Sequence, residues 1–315
     1  MNLSGNNRRM TTDFSSISNS ARIGGDVQQF VWNREDQDFR IVYESLGQGS
    51  TVLLFPAFST VSMRSEMSGI AERLASKYKA VAVDFPGFGD SGRPKADYGP
   101  ALYRDFIEDF VLTTFERKPV SVIAAGHSAP YVIWLASKYP TVFSRIVLVA
   151  PTWKGPLAVM GVNGILRNLI KQLVRLPVIG QFLYKLNTLP SFLKFMYRRH
   201  VYIDAEKLTS DFIEDKWEST QQSGGRFAPA AFVTGCLDLV KRRSDLLGLV
   251  RKISVPVMVV IAKSSPRSSR QEMEAIANLP KIESVLLEGS LGMHEEYPDT
   301  VAEAILPFLG AAVCS

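Results

Sequence analysis

Apolar runs alternating with amphipathic stretches organise this chain of 315 residues. Short runs rich in Val, Ile, Leu and Phe fall at 27–32, 39–43, 51–55, 80–84, 120–125, 146–150, 256–261 and 284–287. Their length and β-branched content predict strands. Between several of them, at 65–77, 103–114, 131–138, 270–277 and 300–309, apolar residues recur at helical spacing. Strands alternating with helices predict crossover connections and a mostly parallel sheet.

That rhythm breaks after Pro151. Segments at 165–176, 182–186 and 192–199 mix Leu, Ile, Phe and Tyr with Lys and Arg, and Pro177, Gly180 and Pro190 divide them into short helical pieces. The expected organisation is an α/β core at 26–153 and 251–315 with a helical cap at 154–250. Residues 1–25 are rich in Asn, Ser, Thr and Arg and lack the apolar core of a secretory signal, so they read as a flexible leader. No run approaches the roughly 18 apolar residues that span a bilayer. The chain therefore reads as cytoplasmic, either soluble or peripheral to a membrane.

Composition sharpens this picture at one point. The hydrophobic fraction of 46% suffices for a large core, and the net charge of +5 is modest. The charge is uneven, however: from Arg117 to His200 there are twelve Lys and Arg and no Asp or Glu. Such asymmetry favours anionic ligands or surfaces. The basic residues are interleaved with aliphatic anchors and match no nucleic-acid module, so no nucleic-acid partner is expected. Two distant cysteines, Cys236 and Cys314, and three histidines give neither a disulfide framework nor a metal site. No cofactor is expected.

The candidate chemistry lies where the run 120–125 leads into Gly126-His127-Ser128-Ala129-Pro130, with a helix just beyond. A serine hydroxyl needs a base to become a nucleophile, and a sharp strand-to-helix turn lifts it to where an imidazole can reach. His294 follows the last strand and a loop, in the matching chain order. A third motif, Asp84-Phe85-Pro86-Gly87-Phe88-Gly89-Asp90-Ser91-Gly92, lies between a strand and a helix.

With these three motifs the chain resembles the α/β-hydrolase superfamily over about residues 27–312. The resemblance implies an α/β fold with a mostly parallel eight-stranded sheet flanked by helices and a helical cap inserted after strand 6. It also implies Ser128 as nucleophile, His294 as base, and the backbone NH groups of Phe58 and Ala129 as the oxyanion hole. The Asp84 loop would serve the fold. Three features depart from the family pattern: Pro130 replaces a glycine, Pro56-Ala57 stands where many relatives carry His-Gly, and the loop 262–269 has no carboxylate. The third triad member is then a neutral Ser265 or Ser264, or a carboxylate from elsewhere such as Asp238 or Glu272, or hydrolysis does not occur.

The function this implies is hydrolysis of a lipophilic carboxylic ester, thioester or lactone through a Ser128 acyl-enzyme, with His127, Trp153 and Phe192 touching the substrate. The alternative is a catalytically weak or inactive hydrolase-like protein that binds a lipophilic ligand or a partner. A serine at the elbow argues against the dehalogenase and epoxide hydrolase relatives, which use aspartate there. Basic amphipathic cap helices could also rest on an anionic membrane surface.

Overall fold

A computed structural model describes residues 10–11 and 21–311. The strands are β1 (Met10–Thr11), β2 (Asp26–Arg34), β3 (Gln37–Leu46), β4 (Ser50–Phe55), β5 (Tyr78–Val83), β6 (Val120–Ala125), β7 (Phe143–Val149), β8 (Val257–Ala262) and β9 (Ile282–Leu287). They form one sheet in the order β1-β2-β3-β5-β4-β6-β7-β8-β9. From β5 to β9 every pairing is parallel, while β1, β2 and β3 add an antiparallel edge. The eight expected strands are β2 to β9, so the eight-stranded, mostly parallel α/β-hydrolase sheet stands. The ninth, β1, is a two-residue strand beside Val31 and Trp32 inside the stretch read as a leader. Most of that leader, and Cys314, lie outside the described residues.

The helices are α1 (Ser68–Leu74), α2 (Pro100–Thr114), α3 (Ala129–Lys138), α4 (Pro156–Val159), α5 (Gly164–Arg175), α6 (Pro177–Asn187) and α7 (Pro190–Met196), then α8 (Ser210–Thr220), α9 (Phe227–Val233), α10 (Arg243–Val250), α11 (Arg267–Ala277), α12 (Met293–Glu296) and α13 (Pro298–Gly310). One group packs α1 on α13, and another links α2, α3, α10 and α11. Central strands are apolar on both faces, as a parallel sheet covered on both sides requires: Val52 to Phe55, Val122 to Ala125 and Ile146 to Val149 are all buried. Between β7 and β8 the described residues form seven α-helices, α4 to α10, with a π-helical turn at Tyr197–Val201 and a 3-10 turn at Ala205–Lys207, and no strand.

The Asp84 loop is structural, as expected. Asp84 accepts hydrogen bonds from the backbone NH groups of Arg64 (2.6 Å) and Asp90 (2.9 Å) and pairs with the buried Arg64 guanidinium. Gly89 has φ +52°, and a Cβ there would sit 2.1 Å from the Asp84 carboxylate, so only glycine fits.

Helix α5 is oriented against the usual rule for surface helices. Its Lys and Arg face inward: Lys171 pairs with Asp97 at 2.8 Å, Arg167 donates to the Thr234 carbonyl at 3.1 Å, and Arg175 to the Ala96 carbonyl at 3.0 Å. Its aliphatic residues face out, with Ile165 86% exposed. These three cations turn towards the body of the molecule because carboxylate and carbonyl partners there outcompete water for them.

Candidate active site

Strand β6 ends at Ala125, and the chain turns through Gly126-His127-Ser128 into α3. The left-handed residue of this turn is Gly126, with φ +52°. It faces the two loops that flank β6 at the carboxyl edge of the sheet, where open α/β sheets place their sites. A Cβ built on Gly126 would lie 2.9 Å from the Ala57 methyl and 4.0 Å from Thr152 Oγ1. The Gly126 carbonyl accepts from the NH of Thr152 at 3.1 Å and from that of Ala129.

Ser128 sits two residues further on, in helical conformation (φ −78°, ψ −21°) as the residue preceding α3. It is fully buried. Its hydroxyl donates back to the Ala125 carbonyl at 2.8 Å, with the Phe55 carbonyl at 3.4 Å. Pro130 contributes to this placement: it occupies the first turn of α3, where no NH is needed, so the helix starts at Ala129 and takes Ser128 into its entry.

His294 lies in α12, buried, with Nε2 3.4 Å from Glu66 Oε2 and Nδ1 without a hydrogen-bond partner. Burial raises the Glu66 pKa, opposed by its bond to His294 and by Lys216 nearby. Lys216 of α8 in turn pairs with Glu295 at 2.6 Å. The segment leading out of α7 is stitched down here too, because Glu296 accepts from the NH groups of Ile203 (2.8 Å) and Asp204 (2.7 Å). No hydrogen bond joins His294 to Ser128, so the nucleophile and base read from sequence are not brought together.

The other expected members are scattered. Asp238 adjoins His127 instead of His294, with Oδ1 3.4 Å from His127 Nε2 and accepting from the Gly155 NH at 2.8 Å. Burial pushes the Asp238 carboxyl up to about 7 and the His127 imidazole down to about 4. Ser265 turns its hydroxyl to the Ala262 carbonyl at 2.8 Å, and Glu272 is held by Arg243 in two 2.8 Å bonds. The Ser264 NH donates to the Gly289 carbonyl at 3.0 Å. Ala129 cannot serve as an oxyanion donor, since its NH already closes the turn onto the Gly126 carbonyl. Phe58 is buried in an aromatic cluster, its ring 4.4 Å from Phe85 and 4.7 Å from Tyr103. Phe192 is 38% exposed on α7, and Trp153 is buried with Lys154 over its ring.

Aromatic rings crowd the turn. Phe58 and Phe232 pack edge-on against His127, at 6.4 and 5.5 Å. The void bounded by Ala129, Pro130, Thr152 and Trp153 is too tight for a water-sized sphere. An open surface groove of about 560 Å³ lies at the other ends of the strands, between Gly24, Gly47 and Lys79. The residue that sequence reasoning missed is Gly126. Its signal was positional: it is the first residue after the strand 120–125, where the sharp turn must fall.

A model of the alpha/beta hydrolase family matches residues 52–304. An uncharacterized protein of Mycobacterium tuberculosis is 25% identical over 112 residues, 36% of this chain and 32% of that protein. The probable lysophospholipase BODYGUARD 1 of Arabidopsis thaliana is 26% identical over 162 residues, 50% of this chain and 32% of that protein. The matches thus span about a third of the length of these curated relatives. Among solved structures, Cfl2 from Burkholderia cenocepacia is similar with a TM-score of 0.69 at 19% identity, over 92% of this chain and 98% of that one. At that identity the likeness speaks for the fold.

Proposed function

The chain belongs to the alpha/beta hydrolase family, and from that premise we propose that it is a binding protein which keeps the family's fold without the family's acyl-transfer step at the elbow. One observation carries this reading: the strained position of the strand-to-helix turn, where a serine nucleophile would stand, is Gly126, and the Ala57 methyl fills the space its side chain would take. A nucleophile, a base within hydrogen-bond reach and free oxyanion donors are the minimum for covalent ester hydrolysis. Ser128 is turned to the Ala125 carbonyl, His294 to Glu66, and the Ala129 NH to Gly126.

A second reading, hydrolysis of a lipophilic ester, thioester or lactone through Ser128 and His294, is favoured by the similarity to a probable lysophospholipase over half of this chain. It requires Ser128 to leave the Ala125 carbonyl and His294 to leave Glu66. Fluorophosphonate labelling and short-chain ester turnover, on wild type and Ser128→Ala, separate the two. The binding-protein reading expects no labelling and equal background turnover in both proteins. Labelling at Ser128, or turnover that Ser128→Ala abolishes, would overturn it.

A further inference from the structure

The helices between β7 and β8 turn an apolar surface to solvent on a scale that packing does not explain. Ile165 on α5 and Val178 on α6 are 86% and 81% exposed, and Ile179, Phe182 and Phe195 all exceed half. Side chains this exposed protrude instead of lining a groove. The arrangement is held firmly: Gly180 lets α6 approach α5 so closely that a Cβ would sit 2.0 Å from the Val174 carbonyl oxygen, and Arg226 donates to that same carbonyl at 3.1 Å. Monomeric soluble proteins rarely leave so much contiguous apolar area uncovered.

The segment that carries this surface bears charge of one sign, while carboxylates adjoin it from other elements: Asp97 beside Lys171, and the exposed Asp211, Glu214 and Glu218 on α8, which packs on α7. Residues 154–199 contain eight Lys and Arg and no Asp or Glu. Three of the eight, Arg167, Lys171 and Arg175, are spent on internal partners. Of the other five, Lys154 lies over the Trp153 ring, while Lys185, Lys194, Arg198 and Arg199 are exposed beside the apolar side chains, with Arg199 6.0 Å over the Phe195 ring. Protruding aliphatic and aromatic side chains on a segment whose own charges are all cationic match a bilayer interface, with the apolar groups at the acyl boundary and the cations among anionic headgroups. No helix among the described residues is long and apolar enough to cross a membrane, so contact would be lateral. We infer that α5, α6 and α7 form a docking surface for an anionic phospholipid bilayer. This inference does not depend on whether the elbow is active.

The test is co-sedimentation of the full chain with vesicles of phosphatidylcholine alone or mixed with phosphatidylserine. Wild type should sediment with the mixed vesicles and far less with the neutral ones. The triple variant Ile165→Ser, Val178→Ser and Phe182→Ser should lose roughly tenfold or more in binding, because apolar insertion sets the affinity. Its thermal melting should stay that of wild type, since the three side chains are largely solvated. Replacing Lys185, Lys194, Arg198 and Arg199 by Gln should weaken binding to mixed vesicles by roughly fivefold per charge. The inference is overturned if wild type stays in the supernatant with both vesicle types, or if the triple variant binds as wild type does. It is also overturned if light scattering finds a wild-type dimer that the triple variant converts to monomer, for the surface would then join two copies of this chain.

Discussion

Replacing Gly126 by alanine tests whether the elbow has been closed to side chains. Two costs are separable. An L-residue at φ +52° carries a left-handed penalty of about 1–2 kcal/mol. The new methyl would also lie 2.9 Å from the Ala57 methyl, well inside ordinary carbon contact, and overpacking of this kind costs about 1–3 kcal/mol. Gly126→Ala should therefore lose about 2–5 kcal/mol. Ala57→Gly removes the overlapping methyl at a cost of its own of roughly 1 kcal/mol. In that background Gly126→Ala should cost only the backbone penalty. Urea denaturation of the four proteins closes a double-mutant cycle with an expected coupling of about 1–3 kcal/mol. Additivity to within about 0.5 kcal/mol would mean that the two positions do not compete for space and that the elbow is open to a side chain.

Two further expectations follow from buried charge. Arg64→Ala leaves the buried carboxylates of Glu44 and Asp84 without their counter-ion and should cost about 3–5 kcal/mol in the same denaturation assay. His127 and Asp238 should oppose one another in pH dependence. The His127 pKa falls from 6.5 to about 4 on folding, so its contribution is present above pH 6.5 and lost as pH falls towards 4. The Asp238 pKa rises from 3.8 to about 7, so its contribution is present at low pH and lost as pH rises to 7. In Asp238→Asn the slope of stability between these limits should turn more positive, and in His127→Gln more negative. Unchanged slopes in both variants would refute the assignment.

All eight principal strands were legible in the sequence, because the buried parallel strands read as unbroken apolar runs and the Asp84 loop carries its glycines at fixed offsets. The position of the left-handed turn was legible to within two residues. Gly126-His127-Ser128 matches the family's motif in letters, yet the strand ends where its apolar run ends, at Ala125, and this gives the turn to Gly126. The start of α3 at Ala129, two residues before the helical pattern suggested, leaves Ser128 in helical conformation and the left-handed position of the turn to Gly126. His294 matched by context, but the single-turn α12 aims it at Glu66, a partner 228 positions away that no local pattern reveals. The inversion of α5 was equally hidden: periodicity identifies two faces of a helix, and only the partners Asp97, Thr234 and Ala96, distant in the chain, decide which face turns in.

Glu44 redraws the practical boundary of the folded unit. One oxygen of its buried carboxylate accepts from the NH groups of Ile23 (3.0 Å) and Gly25 (2.8 Å), the other from the Arg22 NH (2.8 Å) and Arg64 Nε (2.9 Å). A shortened protein starting at residue 26, where composition alone would place the cut, would strand three of these four bonds inside the core. Starting at residue 21 keeps them all. Residues 22–25 are in this sense a plug for a buried anion, and a proteolytic nick among them should loosen the sheet instead of trimming a tail.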